Sequence, residues 1–252
     1  MSFSSANSIN FGRLSPQIVY YFSAYFQLVK KNEINLGEKI DVVVPTGNFG
    51  NILAGWYAKK MGLPIDNLIC ASNKNNVLVQ FLQAGTYDTN REFHKTMSPS
   101  MDILISSNLE RLLYEASGKD AELINSLMES LKSEGKYKLP KKVLKNIKKD
   151  FSGGFAAEQE TENALKTAWD KYGYLMDTHT AVAYSVSRQH KKSKNKKLIL
   201  STASPYKFPE SVLRALGEKP SGDSFENIVL LEKATKTSAP ESISSLKEAE
   251  TL

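Results

Sequence analysis

Apolar residues occur along this chain in two patterns: short uninterrupted runs, and longer segments that repeat every three to four residues. The run at residues 40–44 is β-branched and predicts a strand buried on both faces of a sheet. Residues 52–61 then repeat at the helical period and end at Gly62. A second strand at residues 67–72 and a helix from about Asn76 to Ala84 follow in the same order. This alternation predicts an α/β fold, a mostly parallel sheet with helices on both faces.

The rest of the chain contains signals for further helices and strands. Ser15 as an N-cap with Pro16 behind it predicts a helix over residues 15–31, and Ser107 and Ser238 each open a capping-box motif. Further helices are predicted at residues 156–174 and 181–190, and strands at 197–201 and 228–231. We therefore expect an α/β domain at 1–216, with a helical insertion at about 105–175. Residues 217–252 should form a tail with a short strand and a helix.

Composition excludes several classes of protein. The chain has 252 residues, 41% of them hydrophobic and 24% charged, which is typical of a soluble globular protein. No run approaches the roughly 18 apolar residues of a membrane span, so we expect a cytoplasmic protein without a membrane partner. The single cysteine, Cys70, lies in an apolar run, which favours a buried structural thiol. We expect no metal site.

The formal net charge of +6 raises the question of a nucleic-acid partner. The lysines concentrate in two clusters, at residues 132–149 and 190–197, and Tyr137 is the one Phe, Tyr or Trp among them, too few to stack a run of bases. These clusters are typical of solvated connecting loops. We therefore expect no nucleic-acid binding.

The turn at residues 47–51 is the strongest candidate for a ligand site. It joins a buried strand to a helix, so its backbone amides should converge at a helix N-terminus, which favours an anion. Glycine turns of this kind also occur for structural reasons alone. The turn lacks the GxGxxG spacing of a dinucleotide site and the Lys-Ser/Thr pair of a P-loop. A mononucleotide or a pyridoxal 5′-phosphate (PLP) phosphate remains.

The full string at residues 45–51, Pro-Thr-Gly-Asn-Phe-Gly-Asn, resembles the PLP-phosphate loop of threonine synthases, which are fold type II, tryptophan-synthase-like enzymes. Other strings resemble this family in the same order along the chain. They are residues 8–10 with Arg13, then 16–22, 98–103 leading to 107–112, 177–181 and 201–208. The resemblance implies that the chain is part of the large domain of a fold type II PLP enzyme.

The resemblance implies specific cofactor contacts. The backbone amides of Gly47, Asn48, Phe49, Gly50 and Asn51 would hold the PLP phosphate, and Thr202 would hydrogen-bond the pyridine nitrogen. A hydroxyl partner leaves that nitrogen largely unprotonated, which suits elimination and replacement at the β and γ carbons. Residues 201–202 could instead be a strand end that satisfies backbone groups. Many family members have histidine where this chain has Ser204.

The family converts O-phosphohomoserine and water to threonine and phosphate, so the resemblance also implies a second anion site. The candidates are Asn73, Lys74, Asn75, Asn108 and Arg111, which follow a strand or open a helix. The polar residues 177–180 fit either of two interpretations. They could lie beside the site, or they could cap a helix and include a histidine whose hydrogen bonds are satisfied.

The Schiff-base lysine of the family, within a Phe-Lys-Asp type motif, does not occur in these 252 residues. The resemblance begins at the middle of the family's sequence, so we expect the chain alone to be inactive. A truncated chain, a split enzyme completed by a separate N-terminal half, and a remnant with a binding role all fit. The alternative functions are another type II lyase such as threonine dehydratase, or a non-catalytic module that binds phosphate or PLP.

Overall fold

The computed structural model describes residues 9–247. Its strands β1 to β6 are Ile40–Pro45, Ile65–Ser72, Thr86–Asp88, Lys136–Lys138, Phe151–Phe155 and Lys196–Ile199. Its helices α1 to α12 are Phe11–Leu14, Gln17–Lys30, Gly50–Lys60, Val77–Ala84, Leu109–Ser117, Ala121–Glu134, Lys141–Ile147, Glu158–Tyr172, Thr178–Gln189, Pro209–Leu216, Ser224–Thr235 and Glu241–Ser244. Short 3₁₀ helices occupy Pro99–Met101, Pro205–Lys207 and Ser245–Lys247.

A four-stranded sheet organises the fold, and its order is β5-β2-β1-β6. All three strand pairings are parallel, and Val43 of β1 lies between Ile69 of β2 and Ile199 of β6. Every residue of β1 is buried, as expected for a central strand of a parallel sheet. The predicted α/β class is therefore confirmed. A separate antiparallel pair is formed by β3 and β4.

The two faces of the sheet pack against different helices. Val42 and Val44 belong to the larger hydrophobic core, which also contains buried residues of α2 and α3. Val43 and Ile69 point the other way and pack with Val182 of α9. Because successive side chains of a strand alternate between faces, this division follows directly from the sequence order. Helices cover both faces, as predicted.

The predicted helical insertion at 105–175 is wrong in one respect, since it contains β5 of the main sheet. The sequence of β5 is Phe-Ser-Gly-Gly-Phe, and its two glycines weaken the strand pattern. Tertiary packing explains these glycines. A Cβ at Gly154 would lie 2.9 Å from the Val186 side chain of α9, and a Cβ at Gly153 would lie 3.3 Å from the Cys70 carbonyl oxygen.

The short strand predicted at residues 228–231 is also wrong, because these residues lie in α11. The Asp223 side chain caps this helix by accepting a hydrogen bond from the Glu226 amide. Ile228 and Leu231 are buried, whereas Val229 and Leu230 are exposed. The three-residue spacing places the buried pair on one helical face. A run of four apolar residues does not distinguish a strand from a helix by periodicity alone.

All three predicted serine caps are wrong. Ser15 ends α1, and α2 begins two residues later. The residues before α5 and α12 are Asn108 and Pro240, and neither side chain caps its helix. The Asn108 side chain instead bonds the Asn48 carbonyl, so a tertiary contact replaces the local cap.

The first lysine cluster is not a loop, because it covers the end of α6, β4 and α7. Its lysines are exposed, as predicted. Within residues 9–247, no helix is long and apolar enough to cross a membrane. Cys70 is buried as predicted, and burial raises the pKa of its thiol to about 12. This thiol is therefore poorly suited to act as a nucleophile.

Candidate functional site

A cavity of about 370 Å³ opens beside the carboxyl end of β1. Its volume lies within the range of about 300–1,000 Å³ that is usual for small-molecule sites. It is lined by the turn after β1 and by residues from four other parts of the chain. The lining residues are Arg13, Gln17, residues 45–52, Ser100, Met101, His179, Thr202, Ala203 and Lys207.

The turn into α3 is built around Phe49. This residue has φ of 62°, a left-handed conformation that is uncommon for a residue other than glycine. Its ring is buried and packs 5.7 Å from the Phe151 ring of β5, measured between centroids. No side chain caps α3 at this end. The first-turn amides of the helix therefore remain available at the cavity.

The carbonyl oxygens of the turn show which way its amides point. The Gly47 carbonyl accepts the Ser106 hydroxyl at 2.9 Å, and the Asn48 carbonyl accepts the amide of Asn108 at 3.1 Å and its side chain at 2.9 Å. In a trans peptide, the C=O and N–H of one plane point in opposite directions. The amides of Asn48 and Phe49 therefore point away from residues 106–108. We call residues 47–51 the cradle.

Gly47 is required by close packing. A Cβ at this position would lie only 2.7 Å from the Ser100 carbonyl oxygen. The 3₁₀ helix at Pro99–Met101 thus sits directly against the cradle. Any larger residue at position 47 would push these two backbones apart.

Asn51 joins the cradle to α2. The Tyr21 hydroxyl lies 2.7 Å from both the carbonyl oxygen and the Oδ1 of Asn51, and it can donate to one of them at a time. Burial raises the pKa of the Tyr21 hydroxyl above its usual value. Tyr21 therefore acts as a neutral donor that fixes the first turn of α3.

His179 and Asp177 form a buried pair at the start of α9. The Nδ1 of His179 lies 3.0 Å from Asp177 Oδ1, and its Nε2 accepts the Ser100 amide at 3.1 Å. Asp177 Oδ1 also caps α9 by accepting the amides of His179 and Thr180. Burial would raise the pKa of Asp177, but hydrogen bonds from His179 and Thr180 hold it below its usual range. Asp177 is therefore an ionised acceptor, and both interpretations of residues 177–180 apply together.

Thr202 lines the cavity and is exposed. It follows the end of β6, the edge strand that pairs with β1. Because parallel neighbours end at the same edge of the sheet, Thr202 and the cradle line one cavity. The structure thus brings together all six of the residues that the resemblance assigns to the cofactor.

The loop after β2 differs from the cradle, because the side chains of its two asparagines are bonded to other residues of the protein. Asn73 donates through Nδ2 to Thr96 Oγ1 and Asp102 Oδ1, each at 2.8 Å, and the Nδ2 of Asn75 donates to the same Asp102 oxygen at 2.9 Å. Both asparagines are buried, and Lys74 between them is exposed. None of these three residues lines the cavity. We call residues 73–75 the second loop.

The last two sequence candidates also lie away from the cavity. Asn108 supports the cradle from behind through the Asn48 carbonyl. Arg111 lines a separate cavity of about 500 Å³, where it donates to the Ile9 carbonyl at 2.8 Å and lies over the Phe11 ring. Its charge is thus directed at another part of the surface.

Several lining residues were not among the sequence candidates. They are Arg13, Gln17, Ser100, Met101, His179 and Lys207. All six belong to strings that carried the family resemblance, and of these only His179, within residues 177–180, had been considered for a place beside the site. Together they add two cations and a buried histidine to a turn rich in amide donors. This arrangement suits a phosphate monoester. Among residues 9–247, no group of three or more His, Cys, Asp or Glu could hold a metal.

Comparisons with known proteins agree with this arrangement. A family model described as "Threonine synthase, C-terminal" matches residues 180–251. Threonine synthase-like 1 of Homo sapiens is 45% identical over 214 residues, which are 84% of this chain and 29% of that protein. Threonine synthase of Saccharomyces cerevisiae is 40% identical over 251 residues, covering 93% of this chain and 48% of that one.

Solved structures give the same result. The crystal structure of PLP-bound threonine synthase from Brucella melitensis superposes with a TM-score of 0.84 at 39% identity, covering 98% of this chain and 48% of that one. Yeast threonine synthase gives a TM-score of 0.82 at 35% identity, covering 97% and 49%. The chain therefore spans about half of these two enzymes, and less than a third of the human relative.

Proposed function

Because the chain belongs to the threonine synthase family, we propose that it forms the phosphate-binding part of a PLP-dependent threonine synthase. The reaction would convert O-phosphohomoserine and water to threonine and phosphate, as a step of threonine biosynthesis in the cytosol. The observation that carries this proposal is the single cavity lined by both the cradle and Thr202. When bound, PLP supplies an electron sink for bonds at the substrate's α and β carbons.

The cradle residues would hold the PLP phosphate through backbone amides. The Gly47 and Asn48 carbonyls are bonded to Ser106 and Asn108, which leaves the amides of Asn48 and Phe49 free of those contacts in a turn that lines the cavity. The first-turn amides of α3 and the positive end of its dipole add to this attraction. Thr202 would donate its hydroxyl to the pyridine nitrogen. A neutral donor leaves that nitrogen largely unprotonated.

Arg13 and Lys207 are the cations that line the same cavity. We propose that they attract the phosphate of O-phosphohomoserine, since a charged hydrogen bond to phosphate is roughly twice as strong as a neutral one. They replace Lys74 and Arg111 in this role, because those two side chains lie elsewhere. Asn73 and Asn75 are already bonded to Asp102.

The lysine that the family's chemistry requires is proposed to lie on polypeptide outside these 252 residues. No Phe-Lys-Asp type motif occurs in the sequence, and the threonine synthases of Brucella melitensis and yeast are about twice as long as the matched region. This proposal implies an N-terminal half, either on the same polypeptide or as a separate partner. The residues present would bind and orient the cofactor, and that half would supply the lysine that moves protons.

Equilibrium dialysis against PLP and against pyridoxal, which lacks the phosphate, tests the cradle directly. We expect PLP to bind at least about tenfold more tightly, because the amides and the helix terminus recognise the phosphate. Inorganic phosphate should compete with PLP. Equal affinity for the two compounds would contradict the proposed role of residues 47–51.

Phosphate release from O-phosphohomoserine tests the rest of the proposal. The chain alone should release none, and co-expression with the N-terminal half of a related threonine synthase should restore release. Replacing Arg13 and Lys207 with glutamine in that pair should raise KM. Turnover by these 252 residues alone would contradict the proposal, because it would show that no lysine from outside them is needed.

A further inference from the structure

His179 is a buried histidine at the wall of the cavity, and its two ring nitrogens have different partners. Its exposed fraction is only 3%. Nδ1 faces the Asp177 carboxylate at 3.0 Å, and Nε2 faces the backbone amide of Ser100 at 3.1 Å. The ring also packs against Phe208, with 5.0 Å between centroids. The imidazole is therefore held from three sides.

These partners determine the tautomer. A backbone N–H can only donate, so the Nε2 that faces Ser100 must be the unprotonated acceptor. The proton then lies on Nδ1 and is donated to Asp177, which is ionised. His179 is thus a neutral imidazole, oriented by a carboxylate and accepting a main-chain amide.

The same Ser100 backbone touches the cradle. Its carbonyl oxygen is the atom that a Cβ on Gly47 would approach to 2.7 Å. Ser100 is therefore held by His179 through its amide and lies against Gly47 through its carbonyl. A shift of Ser100 would change the space around the cradle amides.

We propose that His179 is a positioning residue that sets the shape of the phosphate cradle through Ser100. It touches neither the phosphate nor the reacting atoms in this role. The inference rests on the proposed function for its ligand, the PLP phosphate. Its structural part, the hold on Ser100, does not depend on any ligand.

Two substitutions separate the hydrogen bond from simple packing. His179→Phe keeps a ring of similar size but removes the acceptor, whereas His179→Gln places an amide oxygen near the position of Nε2. In the phenylalanine variant, we expect the Ser100 amide to exchange its hydrogen about tenfold faster and PLP to bind about tenfold more weakly, the effect of one lost hydrogen bond. The glutamine variant should stay within about threefold of the wild type in both measurements. His94→Phe, a histidine outside the cavity, is the matched control.

The outcomes distinguish the two proposals. If Ser100 keeps its protection in His179→Phe, the inference is wrong. If the glutamine variant is impaired as strongly as the phenylalanine variant, His179 has only a packing role and the inference is also wrong. If wild-type protein does not bind PLP while Ser100 exchange follows the expected order, the proposed function fails and the hold on Ser100 stands.

A measurement on the wild type covers the case in which the phenylalanine variant does not fold. Nuclear magnetic resonance follows ring protonation of His179 and the hydrogen-exchange protection of Ser100 in one pH series. The charged group bonded to the ring is Asp177, the N-cap of its helix, and Arg13 and Lys207 line the same cavity as the ring. A second ring proton removes the acceptor, so protection of Ser100 should fall together with ring protonation. Protection that is independent of it would overturn the proposal.

Discussion

The cradle and the second loop occupy equivalent places in the fold but differ in what they offer a ligand. Each follows a buried parallel strand, β1 or β2, and each leads into a helix. In the cradle, the Gly47 and Asn48 carbonyls are bonded to Ser106 and Asn108, so the amides that follow them point away from those residues. In the second loop, the side chains of Asn73 and Asn75 are bonded to Asp102. A position at the carboxyl edge of a sheet is therefore necessary for a site of this kind but does not make one.

One connecting segment, residues 96–108, produces both results. Its first part, from Thr96 to Asp102, supplies partners to the asparagines of the second loop. In its last part, Ser106 and Asn108 donate hydrogen bonds to the Gly47 and Asn48 carbonyls of the cradle. The segment closes one loop and orients the other. The following predictions test this division, from the largest expected effect to the smallest.

Gly47→Val should damage the cradle most. The added Cβ would meet the Ser100 carbonyl oxygen at 2.7 Å, so the two backbones must separate. We expect the free energy of unfolding, measured with urea, to fall by about 2–3 kcal/mol, and PLP binding to be lost in dialysis. The control is Gly222→Val, where a Cβ has no neighbour within 4 Å. Normal PLP affinity in Gly47→Val would contradict the role of the cradle as the phosphate site.

Asn73→Ala should affect stability and not binding. It removes the hydrogen bonds that Asn73 donates to Thr96 and Asp102 and leaves the buried Asn75 amide without its Asn73 Oδ1 acceptor, which costs about 2 kcal/mol of unfolding free energy. The PLP affinity of the folded protein should stay within about threefold, because the second loop does not line the cavity. Lys74→Ala, next to it but exposed, should change stability by less than about 0.5 kcal/mol. A large loss of PLP affinity would show that the second loop belongs to the site.

Asn108→Ala tests how much the contacts behind the cradle contribute to PLP binding. The change removes the side-chain bond to the Asn48 carbonyl, but the backbone bond from residue 108 to the same oxygen remains. We expect about 1 kcal/mol of lost stability and PLP binding weaker by about fivefold. Calorimetric titration with PLP, with pyridoxal as the comparison, measures this directly. If the affinities for PLP and for pyridoxal fall equally, Asn108 does not orient the cradle amides that bind the phosphate.

The pH dependence of stability tests the charge beside the cradle. The pKa of Asp177 is lowered in the folded state, so its contribution is present above the unfolded value of about 3.9 and is lost as pH falls through the lower folded value. Asp177→Asn keeps an acceptor for α9 but not the charge. We expect the wild type to exceed this variant by about 1 kcal/mol at pH 7, and the difference to shrink below about pH 4. A difference that grows in acid would contradict the lowered pKa.

Much of the fold and part of the site could be predicted from the sequence. The strands at residues 40–44 and 67–72 and the helix after the cradle come from local apolar patterns, and β1, β2 and α3 confirm them within a few residues. β5 could not be predicted, because its glycines are explained only by the neighbouring Val186 and Cys70. Residues 228–231 of α11 resemble a strand in sequence, because four consecutive apolar residues fit both patterns.

The sequence by itself determined the α/β class and the position of the cradle between β1 and α3, since both follow from local apolar patterns. It also carried the family resemblance on which the six cofactor residues rest. Tertiary structure alone decided which polar residues face the cavity. Asn73 and Arg111 are directed elsewhere by Asp102 and by the Ile9 carbonyl, whereas His179 reaches Ser100 across 79 positions of the chain. Local patterns contain no information about such distant partners, and these partners determine which donors remain for a ligand.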